Sequence, residues 1–170
     1  MQAARKTLET SAWEILEQIP DPEIPVLSIV DLGIVRSVEV DGTKVTVGVA
    51  PTYSGCPATE FIEDSVVKSL QSGGITQVSI RRVLSPQWTS DWISDRGREK
   101  LRKYGIAPPE KGAVARGRLL GDPMATERIV ACPRCGSENT EKVSEFGSTA
   151  CKASYKCIEC LEPFEYFKCI

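Results

Sequence analysis

Two C-x-x-C pairs constrain this chain more than any other feature: Cys132-Pro133-Arg134-Cys135 and Cys157-Ile158-Glu159-Cys160 stand 21 residues apart near the carboxyl end. Two such knuckles on successive hairpins bring four thiolates to the corners of a tetrahedron around zinc, with sulfur about 2.3 Å from the metal. The intervening segment, including Ser154, Tyr155 and Lys156, supplies strands, so the spacing predicts a zinc ribbon over residues 129–170. A saturated four-sulfur shell leaves no open position, which makes Zn2+ a structural cofactor; a single iron or a two-iron cluster is the competing occupant. A ribbon of about 40 residues has too little core to fold without its metal. Cys151 alternates with Ala153 and Tyr155 and is expected inside a strand. Cys169, after Phe167 and Lys168, is expected at the end of a terminal strand, with an additional accessible thiol as the alternative.

The remaining composition narrows the chemistry. The cysteine count of seven is odd, and four of them sit in C-x-x-C units, which argues for metal or redox chemistry over a disulfide framework. The first 20 residues lack the apolar run of a secretory signal, and no stretch approaches membrane-spanning length, so the chain reads as cytoplasmic with no membrane partner. There is no histidine. That removes the commonest general base near neutral pH, excludes Ser-His and Cys-His catalysis, and leaves cysteines and carboxylates as metal ligands. The net charge of −2 conceals a division: residues 1–95 carry −6, residues 96–118 carry +6 and residues 119–170 carry −2. A sequence pI near 5.4 speaks against nucleic acid as a partner.

Along the chain, Leu8, Ala12, Ile15, Leu16 and Ile19 repeat at helical spacing and predict one amphipathic helix over 8–19, stopped by Pro20. Asp21-Pro22-Glu23-Ile24-Pro25 then forms a rigid loop. Ile34, Val38 and Val40 share one face of a strand, Val45, Val47 and Val49 one face of the next, and Asp41-Gly42 signals a two-residue hairpin turn between them. A helix carrying Ala58, Phe61, Ile62, Val66 and Leu70 on its apolar side closes at Gly73-Gly74, and Val78 and Ile80 mark a third strand ending near Leu84. Strand, helix and strand in this order make a crossover unit with parallel strands. Trp88 and Trp92 are spaced to share a helical face and are expected in the core. Residues 94–104 read as a charged helix whose Arg96, Arg98, Lys100, Arg102 and Lys103 form a solvated face or a docking patch for an acidic partner or a phosphorylated ligand. The proline and glycine content of 105–128 reads as a linker. The expected fold is α+β: a small mixed-sheet domain containing a βαβ unit over 1–104, the linker over 105–128, and the ribbon over 129–170.

The stretch from Thr52 to Glu60 holds the chain's other candidate site. Pro57 suits the first helical position, which puts Cys56 at or beside the N-cap, where backbone N–H groups and the helix dipole lower a thiol's pKa. The competing reading is a small buried apolar side chain behind a turn. The crossover places Cys56 at the carboxyl end of a strand and the amino end of a helix, a usual location for functional groups.

Asp21-Pro22-Glu23, the Asp31-Leu32-Gly33 turn and the T-x-x-x-C-P motif of Thr52 to Pro57 resemble the small iron–sulfur assembly domain that includes SufT. Joined to Trp88–Tyr104 and to Phe146-Gly147-Ser148-Thr149-Ala150-Cys151-Lys152, they make nearly the whole chain resemble the PaaD family of bacterial phenylacetate degradation, whose members are also named phenylacetate-CoA oxygenase subunit PaaJ. The resemblance implies an accessory protein, not an enzyme, that helps install iron–sulfur or other metal centres in the phenylacetyl-CoA ring-epoxidising monooxygenase. Its partners would be the oxygenase or reductase components. The functional thiol falls on Cys56, with Asp21 and Glu23 in support as oxygen ligands or as groups that orient the thiol and Thr52 in support at the motif's start; the competing role of the two carboxylates is loop capping. One thiol cannot hold an iron–sulfur cluster alone, so transient iron or cluster binding would be shared across a homodimer. A non-catalytic adaptor subunit and a thiol-dependent enzyme using Cys56 as nucleophile are the alternatives.

Overall fold

Alternation in the valine-rich segments dictates the first sheet. In the computed structural model of the chain, which describes residues 2–52, 58–112 and 129–168, β1 (Val35–Asp41) and β2 (Lys44–Val49) pair antiparallel, and β3 (Gln77–Arg82) pairs parallel to β2, in the order β1-β2-β3. Val45 and Val47 on central β2 have no exposed surface and Val49 has 1%. They share one face with buried Val38 and Val40, beneath the buried rows Ala12 and Leu16 of α1 (Gln2–Leu16) and Ile62, Val66 and Leu70 of α2 (Ala58–Ser72). Burying each valine contributes roughly 1.5–3 kcal/mol. The other face is polar: Thr46 and Ser79 hydroxyls meet at 3.0 Å and the Arg81 guanidinium grips Glu39 across the strands. The α+β class and the β2-α2-β3 crossover with parallel strands are therefore as expected.

Several local expectations need correction. The first helix runs from Gln2 to Leu16, not 8–19. The N–H groups of Gln18 and Ile19 bond the carbonyls of Ile15 and Leu16, three residues back, so the chain tightens and leaves the helix ahead of Pro20, whose ring disfavours helical backbone in the residue before it. Asp41 is the last paired residue of β1, opposite Lys44, so the turn is Gly42-Thr43, displaced by one. Gly42 has φ +60° at the first central position, which suits the type II′ hairpin turn. A β-bulge between Val35 and Ser37 shifts the strand's phase, which is why Ile34 and Val35 are both buried. Phe61, expected on the apolar side of α2, is 61% exposed, and Leu84 lies beyond the end of β3 and is exposed. Trp88 and Trp92 do not share a helix. Trp88 is buried in a loop, its Nε1 donating to the Leu32 carbonyl at 2.9 Å, while Trp92 ends a short 3-10 helix (Ser90–Trp92) and is half-buried.

The chain forms two compact units, residues 1–88 and 89–170, whereas the sequence pattern puts the end of the first domain at residue 104. In the second unit α3 (Asp95–Tyr104) starts at the N-cap Ser94, whose hydroxyl accepts the Gly97 N–H, and stops at Gly105 with φ +94°. It leads directly into β4 (Ile106–Ala107), which joins the ribbon sheet beside β7 (Pro163–Phe167) in the order β4-β7-β6-β5, with β5 at Thr140–Ser144 and β6 at Lys152–Cys157. The first residues of the expected linker thus belong to a sheet; residues 113–128 of that segment lie outside the described residues. Arg98, expected on a solvated face, is buried: its guanidinium donates to the carbonyls of Ser90, at 2.7 Å, and Pro109. Tyr155 stacks on Phe164 and meets Tyr166 edge-on, forming a platform with Ala107, Val130 and Ala153 that continues into Cys132 and Cys157.

Candidate functional site

Among the described residues, one group of metal-ligating side chains converges. The first knuckle precedes β5 and the second forms the turn between β6 and β7, so the ribbon sheet brings the sulfurs of Cys132, Cys135, Cys157 and Cys160 within 4.8 Å of one another. Cys132 and Cys160 sulfurs are 3.8 Å apart and those of Cys135 and Cys157 3.5 Å. Four sulfurs at about 2.3 Å from a tetrahedral ion stand about 3.8 Å from each other, so the cluster fits a single ion of zinc size. Backbone amides prepare the thiolates. The Cys160 N–H, 3.5 Å from the Cys157 sulfur, is the main reason that the Cys157 thiol is lowered to about 7. The Glu162 N–H favours ionised Cys160, but burial and the thiols of Cys157, Cys135 and Cys132 outweigh it and push Cys160 up to about 12. Four thiolates cannot coexist at this spacing without a cation to neutralise them, so a metal entering the cluster displaces protons.

The strand–helix joint is described up to its rims. Thr52 is half-buried, two residues past Ala50, whose N–H bonds the Ile34 carbonyl at the entrance to β1. On the far side α2 begins at Ala58 with Glu60 in its first turn. Cys56 and Pro57 lie outside the described residues, as does Cys169. Asp21 is buried and caps its own loop: Oδ1 accepts the N–H groups of Glu23, at 3.0 Å, and Ile24, at 2.8 Å. Glu23 is half-buried in the same turn. The loop closes through the Asp21 N–H on the Leu27 carbonyl and a bridge between Pro20 and Ser28.

Sequence reasoning missed two arrangements. Ser28 and Asp31 bond reciprocally, each side chain accepting the other's N–H, at 3.0 and 3.2 Å, with Asp31 fully buried. The S-x-x-D spacing is a capping-box pattern and was readable. In the ribbon, Lys152 is buried and its Nζ lies 2.8 Å from Glu165, whose carboxylate also accepts the Ser148 N–H at 2.6 Å. Cys151 is buried just before β6, its sulfur 3.0 Å from Thr149 Oγ1. The segment Phe146 to Ala150 is thus a loop fastened to β7, and a Cβ on Gly147 would come within 2.6 Å of Glu165 Oε1.

Known proteins similar to this chain fall on both of its parts. Residues 121–168 match the PaaD zinc beta ribbon domain, and residues 9–80 match a family of iron–sulfur cluster assembly proteins. An Escherichia coli (strain K12) protein, named as one of the subunits of a "Putative 1,2-phenylacetyl-CoA epoxidase", is 50% identical over 158 residues, covering 93% of this chain and 91% of that protein. A Porphyromonas gingivalis Fe-S protein maturation auxiliary factor is 37% identical over 90 residues, covering 51% of this chain and 84% of that protein. Among solved structures, a domain of unknown function, DUF59, from Bacillus anthracis is 25% identical with a TM-score of 0.56, covering 59% of this chain and 97% of that one. No helix among the described residues is long and apolar enough to cross a membrane.

Proposed function

The chain belongs to the PaaD family of phenylacetyl-CoA epoxidase proteins, and on that premise we propose that it is an accessory protein that matures a metal centre in a phenylacetyl-CoA ring-epoxidising monooxygenase. The observation that carries the proposal is the iron–sulfur assembly match over residues 9–80, whose β2-α2 joint brackets the T-x-x-x-C-P motif. The similarity to a maturation factor over half of the chain supports the same reading.

In this reading Cys56 is the transfer ligand. A thiolate beside the first turn of α2 would be stabilised by backbone N–H groups, enough to hold iron or a small cluster briefly. A single sulfur would leave the remaining coordination positions to a second copy of the chain or to the client, which favours release. Asp21 acts first through its loop: by fixing the Glu23 and Ile24 amides it sets where the Glu23 carboxylate stands. Thr52 offers a hydroxyl on the strand side of the joint. The iron or cluster is cargo; the oxygenase or reductase component receives it.

The ribbon has a separate task. Cys132, Cys135, Cys157 and Cys160 would hold Zn2+, which crosslinks β5, β6 and β7 and offers no site for chemistry once four sulfurs surround it. Replacing Cys56 by Ala separates the two parts. Fold and ribbon metal should stay as in the wild type while client activity is lost under iron limitation; full client activity would leave the adaptor role instead.

A further inference from the structure

We infer that the tip of the second knuckle is a docking anchor, and that its partner presents an apolar pocket rimmed by lysine or arginine. Both knuckles require a left-handed residue directly after the second cysteine. In the first it is Gly136, with φ +77°. In the second it is Leu161, with φ +61°, the one non-glycine residue with positive φ among the described residues. A γ-branched side chain there is strained, and glycine would relieve it.

The fold gains little from the leucine in exchange, because Leu161 is 66% exposed. Ile158, three residues earlier in the same turn, is also exposed. A strained backbone holding an apolar side chain in water points to a use outside the fold. The charges around the tip say what covers it. Glu159 and Glu162 are both exposed and alternate with the two apolar residues. Glu159 accepts from Asn139 at 2.8 Å, which holds its carboxylate beside the tip, and Glu162 stands 3.9 Å from Arg134 of the first knuckle. The two carboxylates outnumber the one guanidinium of Arg134, so the rim is net negative and matches a pocket with a basic rim, the arrangement in which a central side chain carries the binding energy and the rim sets orientation. The turn is closed by the Cys157 N–H on the Glu162 carbonyl, at 3.0 Å, and held by the Ile158 N–H on the Asn139 carbonyl, at 2.9 Å, which lowers the loop-ordering cost of presenting the anchor.

The inference rests on the accessory role proposed above, with an oxygenase or reductase component as the partner. Its test compares the full-length wild type, Leu161→Gly and Leu161→Asp, each loaded with zinc, for zinc stoichiometry, resistance to chelator and binding to the purified oxygenase and reductase components. Leu161→Gly should keep its zinc and shift the ribbon's folding equilibrium about threefold toward the native state by relieving the left-handed strain. Both variants should bind the client component at least about tenfold more weakly, a loss of the size expected for an anchor residue. A glycine variant that binds like the wild type overturns the anchor and leaves the accessory role standing. A wild-type chain that binds no component overturns both.

Discussion

Lys152 Nζ lies 2.8 Å from Glu165 Oε2, the lysine side chain 5% and the glutamate 27% exposed, across the β6–β7 pair and under the loop from Phe146 to Ala150. Desolvation raises the Glu165 carboxyl, but the Lys152 ammonium and the Ser148 donors outweigh it and hold the carboxyl below its ordinary value. A carboxylate depressed by folding stabilises fully above its unfolded pKa and loses that contribution as pH falls through its folded pKa. The contribution of Glu165 should therefore be constant near neutrality and be lost below about pH 4.3, on top of the pH dependence that the thiolate-held metal gives the ribbon. The difference in stability between the wild type and Glu165→Gln should shrink over that acid range. Lys152→Met at pH 7 should cost about 3 kcal/mol, because it leaves a partly buried carboxylate uncompensated. Chemical denaturation of the zinc-loaded chain across pH reads both.

Loss of the metal should unfold one unit and spare the other. Cys157→Ser removes a thiol that the Cys160 N–H holds below its ordinary range and is expected to abolish stoichiometric zinc binding and to erase the amide dispersion of residues 129–168. Resonances of the β1-β2-β3 sheet should hold their positions. Zinc analysis and a two-dimensional NMR spectrum of the same sample suffice; a variant that keeps one zinc per chain contradicts the ligand assignment.

Trp88 anchors the end of the first unit through its indole N–H on the Leu32 carbonyl. Trp88→Phe keeps most of the apolar surface and orphans a carbonyl, so a loss of about 1–3 kcal/mol is expected, seen as a lower urea midpoint with an unchanged slope.

Asp21 distinguishes a capping role from a ligand role. Asn retains an oxygen acceptor for the Glu23 and Ile24 amides and loses the charge; Ala loses both. The account expects Asp21→Asn to fold within a few tenths of a kcal/mol of the wild type and to support client maturation, with Asp21→Ala about 1 kcal/mol less stable. Failure of the Asn variant in maturation, with its stability intact, would make the carboxylate charge itself the functional group.

Alternation and spacing carried most of the fold. The valines of β1 and β2 read directly as one buried face, and the two C-x-x-C units read directly as one cluster, because both patterns depend on local geometry alone. What escaped was decided by packing. Ala58, Ile62, Val66 and Leu70 form a single i, i+4 row and are the buried residues of α2, while Phe61 beside that row is left in water. Arg98 reads like its charged neighbours, yet it lies on the same face as Leu101, and the buried carbonyls of Ser90 and Pro109 give its guanidinium partners. Lys152 points to the sheet face opposite Cys151 and Ala153, which a bare ribbon would leave in solvent; only the folded-back loop buries it. Leu161 had a readable signal, since its counterpart in the first knuckle is a glycine.

The most direct test is the iron and acid-labile sulfide content of each purified oxygenase and reductase component, made under iron limitation with and without this chain. The account predicts that at least one component is metal-deficient without the chain, that the wild type restores it, and that Cys56→Ala does not. Fully loaded components made in the chain's absence would contradict it.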